Sequence, residues 1–308
     1  CSRDWSSDVC SSDLIGGTSI GGIFAAMFTA PDETGLKPLY TATRFCDEFE
    51  AVAKRIFTGR WLNPWGLRAP KYTSEGIQGV AKDYFGDLNF DQCLIPTMVT
   101  SYNMDTNYPK FFKSWRREHS DSKTADVALG TSAGETYFSP HSMQESGSSG
   151  TSSSASPGGK IYHLLDGGNA ANDPCQCLAT EAEKMFGKDC NLQIVALGTG
   201  RLNSPLPFQE LENAGVLSWV QRLADIFTSG QMGTTDYIMK KRYGDAYSSW
   251  NPEIIAEHGK LDSYKPEDLE YFKSVTLAMI KDRQSEFDAL AASLAAAAKV
   301  RSTKRIFY

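Results

Sequence analysis

Ile15-Gly16-Gly17-Thr18-Ser19-Ile20-Gly21-Gly22-Ile23-Phe24-Ala25-Ala26-Met27 sets one serine between glycines two residues to either side and runs on into an apolar stretch. The pattern predicts a strand end, a tight elbow and a helix over Ile20–Thr29 that stops before Pro31. A Cβ on Gly17 or Gly21 is expected to collide where the chain doubles back. Such an elbow leaves the Ser19 hydroxyl at a helix N-terminus, where free N–H groups and the positive end of the helix dipole stabilise developing negative charge. Ser19 is therefore a candidate nucleophile. Taken alone the motif is weak, since about one chain in ten of this length contains it by chance. A glycine-rich turn with an inert serine stays open until a second motif appears.

The residues before the elbow are of another kind. Asp4-Trp5-Ser6-Ser7-Asp8-Val9-Cys10-Ser11-Ser12-Asp13-Leu14 is polar and without helix or strand period, and it matches the in-frame translation of a sequencing-library adapter. Residues 1–14 are set apart as a non-native scar. The native chain is expected to begin upstream of Ile15, with its N-terminal portion missing and any signal peptide gone with it.

At 308 residues, 41% hydrophobic and 22% charged, the chain is long enough for one large α/β domain. No apolar run approaches the roughly 18 residues of a membrane span. A net charge of −6 argues against nucleic acid as a partner. Outside residues 1–14 the cysteines are Cys46, Cys93, Cys175, Cys177 and Cys190. They show no paired CxxC spacing, so neither a disulfide framework nor a zinc site is expected, and a reducing compartment is the default.

Along the chain, helical spacing predicts a helix over Pro38–Phe57 and a shorter one over Ser74–Phe85, stopped by Gly86. Gly59 to Leu67 reads as a loop with two exposed-looking tryptophans, Trp61 and Trp65, for which packing under the loop is a better explanation than lipid contact. Cys93–Tyr102 reads as a buried strand with Pro96 near its start, and Thr124–Leu129 as a helix. Residues 142–159, dense in Ser and Gly, are expected to form a loop without a core. Lys160–Leu165 reads as the next strand, ending in Asp166-Gly167-Gly168.

Asp166 is the second candidate. A carboxylate at the C-terminal end of a parallel strand, before two glycines that let the backbone turn, lies where α/β sheets place active-site groups. By itself, a plain Asp-Gly turn explains it as well. Asn172 is expected to cap a helix running through Phe186. Leu192–Leu197 reads as a third strand, closing in Gly198-Thr199-Gly200 at the same edge of the sheet.

Four motifs now stand in order: Gly17-Thr18-Ser19-Ile20-Gly21-Gly22; Thr131-Ser132-Ala133 with Thr136-Tyr137-Phe138; Asp166-Gly167-Gly168-Asn169-Ala170-Ala171-Asn172-Asp173-Pro174; and Leu197-Gly198-Thr199-Gly200. Together they resemble the patatin-like phospholipases over roughly residues 15–200. The resemblance implies a three-layer α/β/α fold with a mostly parallel central sheet. It also implies hydrolysis of acyl esters in lipids without a metal or other cofactor, with Ser19 as nucleophile and Asp166 as the sole base of a Ser–Asp dyad. The family's glycine-rich oxyanion loop, of the Asp-Gly-Gly-Gly-x-Arg-Gly type, has no counterpart here and is expected upstream of Ile15. The 308-residue chain is accordingly expected to be feebly active at most.

The dyad also makes physical sense on its own terms, because a free Asp near pKa ~3.9 is too weak a base for a serine proton and needs desolvation and direct contact. A conventional triad requires a histidine after the acid, and only His258 qualifies by order. Beyond Gly200 the chain reads as helical. One apolar face is built from Val216, Trp219, Val220, Leu223, Ile226 and Phe227. A second, from Leu269 to Leu294, lies in a helix opened by Pro266, and core packing is the expectation for both. The tail Lys299–Tyr308 mixes basic and aromatic residues and could touch an anionic membrane surface, although such a tail is more often only solvated. The reading is one domain over 15–308, with catalytic motifs in 15–200 and a helical part in 201–308. Its function is a lipid acyl hydrolase. The alternatives are an esterase using Ser19, Asp166 and His258, or a lipid-binding module without catalysis.

Overall fold

A computed structural model of the protein describes residues 13–57, 59, 69–145, 160–202 and 205–304. Loop residues Trp61 and Trp65, most of the adapter-like segment and residues 146–159 of the Ser/Gly tract lie outside these, as do the side chains from 298 onward that make the basic tail. The described chain forms two compact units, one of Cys1–Pro174 with Ala291–Tyr308 and one of Cys175–Leu290.

In the first unit β1 (Ile15–Gly17) leads through the elbow into α1 (Ile20–Thr29), followed by α2 (Ala42–Ile56), α3 (Ser74–Phe85), β2 (Thr97–Asn103), β3 (Tyr108–Lys113), α4 (Thr124–Thr131), β4 (His141–Glu145), β5 (Lys160–Leu165) and α5 (Gly168–Ala171). Helix α1 ends where expected, before Pro31, and α3 keeps its predicted bounds, stopped at Gly86 with φ 51°. Helix α2 begins four residues later than predicted, because Thr41 caps it by accepting the Arg44 N–H.

The sheet is mixed. Only β1 and β2 pair in parallel; β3 and β5 both run antiparallel to β2, and β4 antiparallel to β5. The strand carrying Asp166 is thus antiparallel to its neighbours, which corrects the expectation of a parallel strand and of a mostly parallel sheet. Two strands of this sheet were missed. Strand β3 follows a turn closed by Asn107 at φ 53°, and its Pro109 is tolerated because β3 pairs with β2 alone. Strand β4 claims residues 142–145, which the tract's composition had assigned to a loop.

Helices α1 and α4 pack on β2, and α2 and α3 pack outside them, around Met27, Phe45, Ile77, Tyr84 and Phe85. Val99 of β2, Phe112 of β3, Leu164 of β5 and Val127 of α4 form a second, fully buried cluster. Complete burial of one such side chain contributes about 1.5–3 kcal/mol, so the sheet face under α4 is a principal source of stability.

The second unit holds α6 (Cys175–Phe186), β6 (Ile194–Leu197), β7 (Arg201–Leu202), α7 (Phe208–Leu211), α8 (Val216–Tyr243), β8 (Tyr247–Trp250), β9 (Glu253–Ile254) and α9 (Pro266–Asp282); α10 (Gln284–Lys304) follows. The short β7, β8 and β9 lie in a stretch read as helical. Strand β6 pairs with β8 and does not join the five-stranded sheet, contrary to expectation. Helix α6 starts at Cys175, not at Asn172, because the turn after Asp166 forms its own short helix, α5, first. The core of this unit is Cys175, Ala179, Ala196, Met239 and Tyr247. It engages the C-terminal half of α8. Of the face expected to be core at its N-terminal half, Val216, Trp219, Leu223 and Phe227 are exposed and Ile226 is half-buried, while the Val220 side chain lies outside the described residues.

Candidate active site

Strand β3 occupies one edge of β2 along its whole length, so β1 and β5 must share the other edge, β1 beside Thr97–Val99 and β5 beside Tyr102–Asn103. They run in opposite senses along it. Their C-terminal ends therefore meet head-on over Thr100 and Ser101, and the residues that follow those ends are Thr18-Ser19 and Asp166.

Ser19 sits at φ 54°, ψ −124°, a conformation that costs a non-glycine residue on the order of 1–3 kcal/mol and persists only where neighbours over-determine it. The neighbours here are specific. The Ser19 N–H donates to Thr131 Oγ1 at 2.9 Å. The Ser19 carbonyl accepts from the N–H groups of Gly22 and Ile23 at 3.0 and 3.1 Å, which starts α1 directly behind it. Thr18 Oγ1 donates to the Ala171 carbonyl and accepts from Thr100 Oγ1, both at 2.6 Å. A Cβ on Gly17 would lie 2.0 Å from the Gly21 carbonyl oxygen, as expected. At Gly21 a Cβ would meet nothing within 4 Å, and the second obligatory glycine is Gly22, whose Cβ would sit 2.9 Å from Thr131 Cγ2 and 3.0 Å from Val99 Cγ1. The expectation that named Gly21 is corrected accordingly.

Asp166 is held as firmly. Its N–H donates to the Ala133 carbonyl at 3.1 Å, and the next N–H, of Gly167, donates to the Thr131 carbonyl at 2.9 Å. A side chain at Gly167 would collide with Thr100 at 2.4 Å, so the turn needs glycine there. Carboxylate oxygen Oδ1 accepts the Gly168 N–H at 2.7 Å, and Oδ2 accepts the Ser19 hydroxyl at 2.7 Å. Burial pushes the Asp166 carboxyl up to about 6; the bonds from Ser19 and Gly168 oppose the rise and the negative charge of Glu135 adds to it. Thr131 thus binds both halves of the pair, the elbow through its hydroxyl and the acid turn through its carbonyl. Sequence reading quoted Thr131 within a motif but assigned it no task, because nothing in its local pattern shows a contact to residues more than thirty positions away on one side and a hundred on the other.

The histidines are engaged elsewhere. His119 is buried and accepts the Lys113 N–H at Nδ1; His141 pairs with Asp126, His163 with Asp105, and His258 with Asp268 at 2.6 Å through Nδ1 while stacking on Tyr271. Among the described residues no group of three or more His, Cys, Asp or Glu side chains is arranged to hold a metal ion, and no helix is long and apolar enough to cross a membrane.

Fold and site together define an α/β protein with a strand–turn–helix elbow bearing a serine in direct contact with a carboxylate. The comparisons narrow the class. The family model of patatin-like phospholipases matches residues 10–178, more than half of the chain and reaching into the segment set apart as a scar. The chain belongs to the patatin-like phospholipase family. It is 32% identical to patatin-like protein 4 of Arabidopsis thaliana over 53% of its length and 39% of that relative's. It is 26% identical to patatin-like protein 2 of the same plant, covering 78% of this chain and 64% of that one. To patatin-03 of Solanum tuberosum it is 26% identical, over 80% of its length and 65% of the relative's. The chain thus spans less than two thirds of each of these relatives.

Proposed function

We propose that this chain carries the active site of a lipid acyl hydrolase that works through a Ser–Asp dyad. The observation that carries the reading is the 2.7 Å bond from Ser19 Oγ to Asp166 Oδ2 at an elbow whose backbone is strained. Asp166 takes the hydroxyl proton as Oγ bonds to the ester carbonyl carbon. The tetrahedral intermediate then expels the alcohol, which receives that proton, and leaves an acyl group on Ser19. Water, deprotonated by the same carboxylate, releases the acid and restores the serine. A carboxyl near 6 suits this work better than an ordinary one, because it is ionised at neutral pH yet basic enough to accept the proton. The oxyanion faces the start of α1, where the Ile20 N–H has no carbonyl one turn back to bond, and the helix dipole favours negative charge. Membership of the patatin-like phospholipases supports lipid esters as the substrate class.

The test is covalent trapping. A long-chain alkyl fluorophosphonate incubated with the full-length protein is expected to add its mass at Ser19, and Ser19→Ala is expected to lose both the label and fatty-acid release from phospholipid vesicles. Labelling elsewhere, with hydrolysis intact in Ser19→Ala, would remove the enzyme reading and leave a lipid-binding module in its place.

A further inference from the structure

The loop that follows α4 passes directly over the reacting oxygen of Asp166. A Cβ built on Gly134 would lie 3.7 Å from Oδ2, the oxygen that accepts the Ser19 hydroxyl. The next residue is Glu135, whose exposed side chain accepts a hydrogen bond from the Asn169 amide; that same amide group donates to the Asp166 carbonyl at 3.2 Å. The carboxylate is consequently tied to the turn that carries the candidate base. Its backbone is pinned as well. Thr136 stands at φ 68°, the Lys71 and Tyr72 N–H groups donate to the carbonyls of Thr136 and Tyr137, and Phe138 N–H donates to Gly134. A threonine at positive φ is a conformation that the surrounding bonds have to enforce. Among the described residues no lysine or arginine pairs with Glu135. Among those residues its charge is met only by the neutral Asn169 amide, and it adds a minor part to the rise of the Asp166 carboxyl, which burial chiefly causes.

We propose that Glu135 is a specificity-determining residue, a fixed negative charge at the open side of the Ser19–Asp166 pair that selects against acyl esters bearing negative charge close to the scissile bond. The proposal rests on the hydrolase reading above. Glu135 directly follows the glycine that borders Asp166 Oδ2, so an ester at Ser19 meets the field of this carboxylate, and at low salt even an exposed charge changes rates about several-fold. Neutral esters escape the repulsion and cationic ones gain from it. Glu135 makes no contact with the Ser19 hydroxyl, so the selection acts on the substrate and leaves the proton transfer to Asp166.

The experiment uses three acetate esters of matched phenols in the full-length protein at pH 8: phenyl acetate, 4-carboxyphenyl acetate and 3-(trimethylammonio)phenyl acetate. The quantity read is the ratio of kcat/KM for the anionic to the cationic ester, in which any general change in the base or the fold cancels. Glu135→Gln is expected to raise this ratio about five- to tenfold and Glu135→Lys to raise it further. In 0.5 M salt both gains are expected to shrink, because the charge is exposed. Equal changes on all three esters in Glu135→Gln would assign Glu135 a purely structural part in the turn and overturn the proposal, as would no change at all. Turnover surviving in a Ser19→Ala control would instead remove the hydrolase reading, and this proposal with it.

Discussion

Asp166 combines two demands that oppose each other. Its burial raises the carboxyl to about 6, and a carboxyl raised above its unfolded value stabilises the fold only while it is protonated. That stability is fully present below the ordinary carboxylate range and is lost as pH rises through about 6. Asp166→Asn is therefore expected to be more stable than the parent at pH 8, by on the order of 2–3 kcal/mol, while the two melt alike at pH 4. Thermal melts at the two pH values check this, and equal melting at pH 8 would show that the buried charge costs nothing. Activity runs the other way: kcat/KM is expected to rise with pH through about 6, since the base must be ionised to take the serine proton. Thr131→Val leaves the Ser19 N–H without its acceptor, a loss of about 1–3 kcal/mol for a group held in a strained turn. A fall of about ten- to a hundredfold in kcat with KM little changed is expected, and Thr131→Ser, which keeps the oxygen, should restore most of it. An unaltered kcat in Thr131→Val would mean that the elbow holds without this bond.

At the scale of elements, the site exists because β1 and β5 share one edge of β2 and run toward each other. The elbow itself was legible: glycine spacing, an apolar helical run and Pro31 mark strand, turn and helix, and α1 and α3 keep their predicted ends. Asp166 was legible as a strand-end residue before two glycines. The sense of its strand was not, because alternation of side chains is the same in parallel and antiparallel strands and only the partner decides. Strand β3 was hidden by Pro109, which reads as a break unless the strand is known to lie at an edge. Strand β4 was hidden by the Ser and Gly residues that follow it. The glycine assignments show the same limit, since crowding at Gly22 comes from Thr131 and Val99, both remote in sequence. Gly22→Ala is expected to destabilise by about 1–3 kcal/mol through overpacking. Gly21→Ala, in open helical backbone, is expected to be neutral or to stabilise by up to about 1 kcal/mol. Denaturant midpoints measure both, and the reverse order would mean that the elbow is packed differently.

For the molecule as a whole, the residues of the candidate site all belong to the first unit, from the elbow through Thr100 and Thr131 to the Asp166 turn. The family match covers the same stretch. His258 belongs to the second unit, where Asp268 and Tyr271 engage it. The helices of that unit were legible as helices, but which face they bury was not: the stripe of Val216, Trp219, Leu223 and Phe227 has the spacing of a core face and is exposed. Amphipathic spacing shows that residues share a face; it does not show what that face meets. The central claim is that serine and aspartate act together without a histidine. The most direct measurement compares kcat on a short-chain aryl ester for the full-length protein, its His258→Ala variant and its Asp166→Asn variant. The account predicts that His258→Ala keeps kcat within about threefold while Asp166→Asn lowers it by about a hundredfold or more, the usual size of a lost general base. A loss of two or more orders of magnitude in His258→Ala would contradict it and make the site a triad.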